Sequence, residues 1–334
     1  MGTEEEVELE MLSRDQTDGS PSKPPVRIGL VGCGRLAEFG YIPAFRRASG
    51  VALVGVADTN PLRCKQIAPE WPAYNTIQEL IGAGAVEAVI ISTPTRCHLA
   101  DAAAAAQAKL PVLLEKPPGI DLSEAEALLD LVPRPWIAFN RRFDPDLARL
   151  RINLPRDGML DVRLELHYRR KAWKPFDMQD DALLDLGPHL IDLARWLTKS
   201  EVMSVRAHAL KQEHVEFELE LERGQATVSC SCNSPYRELV QVWSSDGRVV
   251  GTFRRGGIVA GIIGKLLPRR ENPLVNSLVG QLEAFRCAVR GVPSAQPLSS
   301  VVDGVKVMSI IEALRSSAQS GCSRRSVLEC CQAD

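Results

Sequence analysis

Two side chains that can move protons stand inside an otherwise apolar segment, "LLDLGPHLIDLARWL" at 183–197. They are Asp185 and His189, four positions apart. An imidazole with an ordinary pKa of about 6.5 can accept and return a proton near neutral pH. A carboxylate beside it can fix its tautomer or relay the proton. The spacing puts both groups on one face of a helix, which predicts acid–base chemistry there.

Helical spacing divides the same segment into two stripes. The apolar stripe, expected to face a core, consists of Leu186, Leu190, Leu193 and Leu197. The second stripe consists of Asp185, His189, Asp192 and Trp196. Asp192 either anchors the helix or contacts a substrate. Because Pro188 cannot donate to the carbonyl of Leu184, the helix either begins near Pro188 or kinks there.

A lysine ends the apolar run "PVLLEK" at 111–116, which indicates a buried strand. Lys116 would then lie at the carboxyl edge of a sheet, where open α/β sheets bind ligands. An ammonium at that place can stabilise the charge that develops on an alkoxide. The alternative is a solvated lysine whose following prolines, Pro117 and Pro118, simply end the strand.

The pattern Gly32-x-Gly34-x-x-Ala37 directly follows another apolar run, at 26–31. The first glycine permits a tight turn, the second lets a pyrophosphate approach the backbone, and a small third residue lets the following helix pack on the strand. This turn therefore predicts a dinucleotide site that Gly32, Gly34, Arg35 and Leu36 contact. The alternative is a glycine turn that binds no ligand.

Asp58 ends the next apolar run, at 51–58, somewhat later than the usual spacing of about 20 residues after the first glycine. An acidic residue there binds ribose hydroxyls and repels a 2′-phosphate. Asp58 therefore favours NAD over NADP. Arg63 follows closely and can weaken that preference, so NADP stays an alternative.

The elements that must position these groups change character near residue 155. Before it, continuous apolar runs indicate strands buried on both faces, hence a mostly parallel sheet between helices. They lie at 26–31, 51–58, 88–93, 111–116 and 136–140. After it, apolar and polar residues alternate, which indicates a large open, mainly antiparallel sheet with one wet face. Those segments lie at 160–170, 213–222, 225–233, 238–245 and 248–253, and helical patterns follow at 273–291 and 301–321.

These changes predict an α/β Rossmann domain at 25–141 and an α+β domain for substrate binding and oligomerisation at 142–325. Residues 1–24 are polar and acidic without apolar periodicity, which is typical of a disordered tail, and a second tail is predicted at 326–334. The chain of 334 residues is long enough for two domains.

The composition excludes several classes of protein. With 45% hydrophobic and 25% charged residues and a net charge of −2, we expect neither nucleic acid nor a membrane as partner. No apolar run approaches the roughly 20 residues of a membrane span, and no signal-peptide pattern is present, so we expect a cytoplasmic protein. Nine cysteines lack framework spacing and zinc-ligand spacing. We expect reduced thiols and no metal site.

Four further motifs stand in a fixed order along the chain: "TPTRCH" at 93–98, "LEKP" at 114–117, "FNRRFDP" at 139–145 and "LLDLGPHLID" at 183–192. With the glycine turn they resemble the glucose–fructose oxidoreductase/inositol dehydrogenase (Gfo/Idh/MocA) family. The segment 281–291 also resembles the penultimate helix of that family. The resemblance spans roughly residues 26–320, and five ordered motifs make a chance match improbable.

The resemblance implies roles for particular residues. The Glu-Lys-Pro motif of the family falls on Glu115, Lys116 and Pro117, and its lysine contacts nicotinamide ribose and the reacting hydroxyl. Asp185 and His189 fall on its Asp-x-x-x-His, with the histidine as general acid/base. The segment that lines the cofactor matches Thr93, Pro94 and His98, of which we expect His98 to be structural rather than catalytic. The residues that match positions near the sugar are Asn140 and Arg142.

Two positions depart from the family pattern. Asp180, Asp181 and Ala182 replace the usual glycine-rich turn before the Asp-x-x-x-His, which predicts an altered pocket mouth. Thr95 replaces the asparagine of the usual Thr-Pro-Asn. Trp173 lies just before this turn and either lines a sugar pocket or packs in a loop.

The sequence thus predicts a NAD(P)-dependent dehydrogenase or reductase for a secondary hydroxyl or ketone of a sugar, cyclitol or nucleotide sugar. Its catalytic residues would be Lys116, Asp185 and His189. The alternative is a non-catalytic protein of the same fold that senses dinucleotide, but a sensor needs no Lys/Asp/His set. Whether the cofactor leaves after each turnover stays open. We expect a homodimer or homotetramer formed through the open sheet.

Overall fold

The computed structural model describes residues 24–170, 180–257 and 272–327. Two seven-stranded sheets organise them. Trp173 and most of both predicted tails lie outside the described residues. Ser326, assigned to the C-terminal tail, instead belongs to a short strand.

The first sheet is parallel except at one edge, where its last strand runs antiparallel to its neighbour. Along the sheet its strands have the order β13-β6-β5-β4-β1-β2-β3. Their bounds are β1 Val26–Val31, β2 Val51–Ala57, β3 Ala73–Tyr74, β4 Ala88–Ile91, β5 Val112–Glu115, β6 Trp136–Ala138 and β13 Ser299–Ser300. Every residue of β4 and β5 is buried, as continuous apolar strands between two helical layers require.

Short helices connect these strands. A π-helical turn, Ala37–Tyr41, leads into α1 Ile42–Phe45, and α2 Pro61–Ile67, α3 Ile77–Gly82, α4 His98–Gln107 and α5 Leu122–Ala127 follow. The alanine-rich sequence of α4 suits close packing, since Ala102 and Ala105 are fully buried. Short 3-10 turns, Thr95–Cys97, Leu128–Asp130 and Asn140–Phe143, complete this half.

The second sheet is mainly antiparallel and has the order β12-β11-β7-β10-β9-β8-β14. Its strands are β7 Leu160–Arg169, β8 Val202–Lys211, β9 His214–Leu221, β10 Gly224–Ser231, β11 Asn233–Ser244, β12 Val249–Gly256 and β14 Arg325–Ser326. Among the described strands of this sheet, only β7 and β10 pair in parallel. On β9 the buried residues alternate with Glu216, Glu218 and Glu220, so one face is packed and the other is polar.

Four further helices complete the described chain: α6 Pro145–Asn153, α7 Ala182–Thr198, α8 Pro273–Val289 and α9 Val301–Gln319. Helix α7 packs on the apolar face of the second sheet, where Leu186, Leu190 and Leu193 are buried in its core. Helix α8 instead joins the core around β1 through Leu278 and Phe285. Residues 273–300 therefore pack with the first sheet, although the sequence interpretation grouped them with the second domain.

The predicted fold class is confirmed: a mostly parallel Rossmann sheet followed by a mainly antiparallel one. In the described residues, no helix is both long and apolar enough to cross a membrane.

Candidate active site

The glycine turn after β1 has the geometry that its sequence predicts. Gly32 has a φ of +95°, and a Cβ there would lie 2.5 Å from the carbonyl carbon of Ser92, so only glycine fits. A Cβ added at Gly34 would meet nothing within 4 Å. The open space beside Gly34 is where a pyrophosphate can approach the backbone, so this turn fits a dinucleotide.

The carboxylate of Asp58 is fastened to the same turn. Its Oδ2 accepts a hydrogen bond from the backbone N–H of Cys33, at 2.7 Å. Its Oδ1 accepts one from the N–H of Asn60, at 2.8 Å. Two backbone donors therefore hold the carboxylate of Asp58 against the glycine turn.

The other two predicted turn residues, Arg35 and Leu36, make contacts with the protein itself. The guanidinium of Arg35 covers the ring of Phe39 at 4.3 Å and pairs with Glu38 at 3.4 Å. Leu36 is partly buried and packs with the core around β1.

His98 links the carboxyl ends of two strands. Its side chain is buried, with Nδ1 2.7 Å from the carbonyl oxygen of Pro117 and Nε2 2.9 Å from that of Thr93. Burial lowers the pKa of His98. Thr93 in turn donates to the carboxylate of Asp101 at 2.7 Å. His98 thus joins the loops after β4 and β5. Pro94 stands just before the 3-10 turn of the first loop, where its carbonyl accepts from the N–H of Cys97 at 2.8 Å.

Glu115 and Lys116 face different surroundings at the end of β5. Glu115 is buried and accepts a hydrogen bond from the hydroxyl of Tyr41 at 2.6 Å. Burial raises the pKa of Glu115. Lys116, joined to Pro117 by a cis peptide bond, reaches the other half of the molecule. Its Nζ donates to the backbone carbonyl of Asp185 at 2.9 Å and lies 3.5 Å from the Asp185 Oδ1.

The helix that carries Asp185 and His189 begins before Pro188 rather than at it. Asp181 caps α7, since its Oδ1 accepts from the N–H of Leu184 at 2.8 Å. Pro188 lies inside the helix. Asp185 is therefore a helical residue in the first turn, one turn from His189.

The carboxylate of Asp185 is held by two residues that the sequence reasoning did not single out. Its Oδ2 accepts hydrogen bonds from the hydroxyl of Tyr168 and, at 3.0 Å, from Nη2 of Arg170. Burial and the charge of Asp185 raise the pKa of Tyr168, so its phenol stays protonated and donates. The sequence did contain a signal for both residues. Tyr168 follows the alternation along β7 that turns Leu164 and Leu166 inward, and Arg170, directly after the strand, continues it.

His189 is partly buried, and no described residue makes a hydrogen bond with its buried Nδ1. Burial, with the charges of Lys116 and Arg141, holds its pKa well below the ordinary value. Within the described ranges no hydrogen bond joins His189 to Asp185. The site therefore combines a neutral imidazole, which can accept a proton, with an ammonium that Asp185 positions.

The two residues predicted to lie near the sugar, Asn140 and Arg142, differ in their contacts. Asn140 opens the 3-10 turn before α6, and its Oδ1 is buried with no partner in the described part of the chain. Arg142 makes a bidentate pair with Asp192, at 2.9 Å and 2.5 Å. Of the two interpretations of Asp192, this pair corresponds to the helix anchor.

The two segments that depart from the family pattern, at Thr95 and at residues 180–182, are joined by a hydrogen bond. The hydroxyl of Thr95, after β4, donates to Oδ2 of Asp180 at 3.0 Å. Asp180 directly precedes the cap of α7, so this bond joins the two halves beside Lys116 and His98. The replaced turn therefore supplies both a helix cap and a link between the halves.

Comparisons with known proteins agree with the two-sheet fold. Residues 26–135 match the family model described as an oxidoreductase family with an NAD-binding Rossmann fold, and residues 150–252 match the GFO/IDH/MocA C-terminal domain. The rhizopine catabolism protein MocA of Rhizobium meliloti is 29% identical over 310 residues, which cover 86% of this chain and 93% of that protein.

Two further similarities concern inositol dehydrogenases. Inositol 2-dehydrogenase of Corynebacterium glutamicum is 29% identical over 219 residues, which cover 60% of this chain and 64% of that enzyme. The structure of myo-inositol dehydrogenase from Lactobacillus casei, in complex with NAD(H) and myo-inositol, has a TM-score of 0.72 at 17% identity. It covers 90% of this chain and 96% of that one, and this likeness shows the fold.

Proposed function

Because the chain belongs to the GFO/IDH/MocA family of oxidoreductases, we propose that it is an NAD-dependent dehydrogenase or reductase. Its substrate would be a sugar, cyclitol or nucleotide sugar with a secondary hydroxyl or the corresponding ketone. The observation that carries this proposal is the hydrogen bond that Lys116 Nζ donates to the backbone carbonyl of Asp185, at 2.9 Å. Asp185 lies one helical turn from His189. This hydrogen bond brings the whole predicted catalytic set to the carboxyl edge of the Rossmann sheet.

The relatives support the substrate class without choosing a member of it. Their names include inositol 2-dehydrogenase and UDP-N-acetylglucosamine 3-dehydrogenase, so family members act on both cyclitols and nucleotide sugars.

In the proposed reaction, His189 removes the proton of the substrate hydroxyl. Its lowered pKa leaves the imidazole neutral before the reaction, with a ring nitrogen available for that proton, although the same burial disfavours the imidazolium that forms. Lys116 stabilises the charge that develops on the hydroxyl oxygen. Bound NAD supplies the acceptor for the hydride. Asp185 keeps the ammonium of Lys116 in place, while Tyr168 and Arg170 hold the carboxylate of Asp185.

The proposed cofactor contacts are the turn at Gly32 and Gly34, the carboxylate of Asp58 and the loop that begins at Thr93. We place NAD ahead of NADP because Asp58 would repel a 2′-phosphate.

The test is spectrophotometric. Purified protein is assayed at 340 nm in both directions with inositols, aldoses, nucleotide sugars and the corresponding ketones. We expect His189→Ala to lower kcat by roughly 10²–10⁴-fold, the usual contribution of a positioned base. Lys116→Met should lower it by roughly 10²–10³-fold. Both variants should still bind NADH.

The matched control is Lys65→Met, on the exposed side of α2, which should leave the rate unchanged. Full turnover in both site variants would disprove the assigned roles. NADH binding without turnover of any panel member would favour the dinucleotide sensor instead.

A further inference from the structure

Beside the glycine turn, one acidic side chain stands between two arginines. The Oε2 of Glu38, in the turn that leads into α1, accepts a hydrogen bond from Nη2 of Arg63. The same oxygen lies 3.4 Å from Nη1 of Arg35. The side chain of Arg63 is only 12% exposed and that of Glu38 25%, so this contact is partly shielded from solvent.

Arg63 is bound at every nitrogen of its guanidinium. Its Nε donates to the backbone carbonyl of Cys33 at 3.0 Å, and its Nη1 donates to the side chain of Gln66 at 2.9 Å. Cys33 is also the residue whose N–H binds Asp58. Arg63 and Asp58 therefore bind the same residue of the glycine turn, one at its carbonyl and the other at its N–H, which keeps the guanidinium near Asp58.

An arginine next to this acid is what a 2′-phosphate requires. Guanidinium groups bind phosphate through paired, charge-assisted hydrogen bonds, and a nearby arginine accommodates the extra phosphate of NADP in Rossmann sites. In this chain Nη2 of Arg63 is already bound by the carboxylate of Glu38, which Arg63 shares with Arg35. A phosphate would have to displace a carboxylate that is fixed in place.

We propose that Glu38 is a second specificity-determining residue for NAD over NADP. Asp58 repels the 2′-phosphate directly, and Glu38 keeps Arg63 from binding it. The inference rests on the proposed dinucleotide function of this site and deepens it. Substrate identity plays no part in it, so cofactor binding alone can test it.

The experiment measures the dissociation constants of NADH and NADPH by fluorescence titration of the full chain. For Glu38→Gln we expect NADPH to bind more tightly relative to NADH. In the Asp58→Ser background, which removes the direct repulsion, adding Glu38→Gln should strengthen NADPH binding by roughly tenfold or more, as one charge-assisted hydrogen bond provides. Arg63→Met, added to that pair, should abolish the gain.

Controls separate the failure of this inference from failure of the function. Glu126→Gln, on the exposed side of α5, removes one charge elsewhere and should leave both affinities unchanged. If the native chain binds neither dinucleotide, the proposed function fails and this inference with it. If NADH binds but Glu38→Gln leaves the NADPH/NADH ratio unchanged, or Arg63→Met keeps the gain, only the inference is overturned. Glu38→Gln alone changes a partly exposed side chain and should fold normally. The single variant therefore tests the inference even if the double variant does not fold.

Discussion

Replacing Asp192 with alanine is expected to destabilise the protein by about 3 kcal/mol. Asp192 and Arg142 pair through two hydrogen bonds, 2.9 Å and 2.5 Å, and their side chains are 2% and 11% exposed. The pair joins α7 to the 3-10 turn that follows β6. Removing one partner of a buried pair costs about 3–5 kcal/mol, since the other charge stays buried without compensation.

The lower end of that range applies here because a second carboxylate is near. Asp303, at the start of α9, lies 3.8 Å from Arg142 and can take over part of its charge. Burial also raises the pKa of Asp192 despite Arg142, so placing this carboxylate in the interior is costly even when it is paired. A double replacement, Arg142→Met with Asp192→Leu, should therefore recover most of the lost stability.

Urea unfolding at pH 7, followed by circular dichroism and compared at a common m value, measures these differences. The matched control is Arg149→Ala, which breaks the exposed pair of Arg149 with Asp146 at 3.6 Å. That change should cost no more than about 0.5 kcal/mol. A loss below about 1 kcal/mol for Asp192→Ala, or a double variant as unstable as the single one, would contradict the reasoning about burial.

Three further outcomes follow from the site and the sheet. Tyr168→Phe removes one of the donors to Asp185, so kcat should fall by roughly 10-fold, the equivalent of one hydrogen bond to a charged group, with KM little changed; an unchanged kcat would separate Tyr168 from catalysis. Burial holds the pKa values of His98 and His189 below 6.5, so near and below pH 6.5 the unfolded chain binds protons that the folded chain does not. The contribution of each imidazole to stability should therefore decline from pH 7.5 to 5.5, by up to about 1.4 kcal/mol per pH unit, whereas buried carboxyls with raised pKa values, such as Glu115 and Asp192, act in the opposite direction. The difference in slope between the native protein and His189→Gln isolates one imidazole, and equal slopes for the two would refute this. A homodimer or homotetramer formed through the outer face of the second sheet remains our prediction, and a monomeric mass in light scattering at micromolar concentration would contradict it.

The fold was predicted from local patterns of apolar and polar residues along the sequence. Continuous apolar runs identified five of the seven strands of the first sheet, and alternation identified five of the seven of the second, because burial on two faces or on one leaves a direct mark on the sequence. The strands that these patterns missed are β3, β13, β8 and β14. The helix at 273–291 was also found by its pattern. Its attachment to the core around β1 was not, since periodicity shows that a face is buried but not which partner buries it.

The sequence by itself determined which residues are the candidates for the chemistry. The turn at Gly32 follows from spacing, and Asp185 and His189 share a stripe of α7 because a helix repeats every 3.6 residues. Lys116 follows from its place at the end of a buried strand. These are local properties, set by residues within one or two turns or strands.

Only the tertiary structure decided how the side chains pair. Asp185 turns its carboxylate toward Tyr168, Arg170 and Lys116 rather than toward His189, four residues away. Lys116 and Asp185 are 69 residues apart in the chain, and they meet because the two sheets bring β5 and α7 together. A charged side chain takes the partner that packing places within reach, and that choice depends on contacts between distant elements, which no local period encodes.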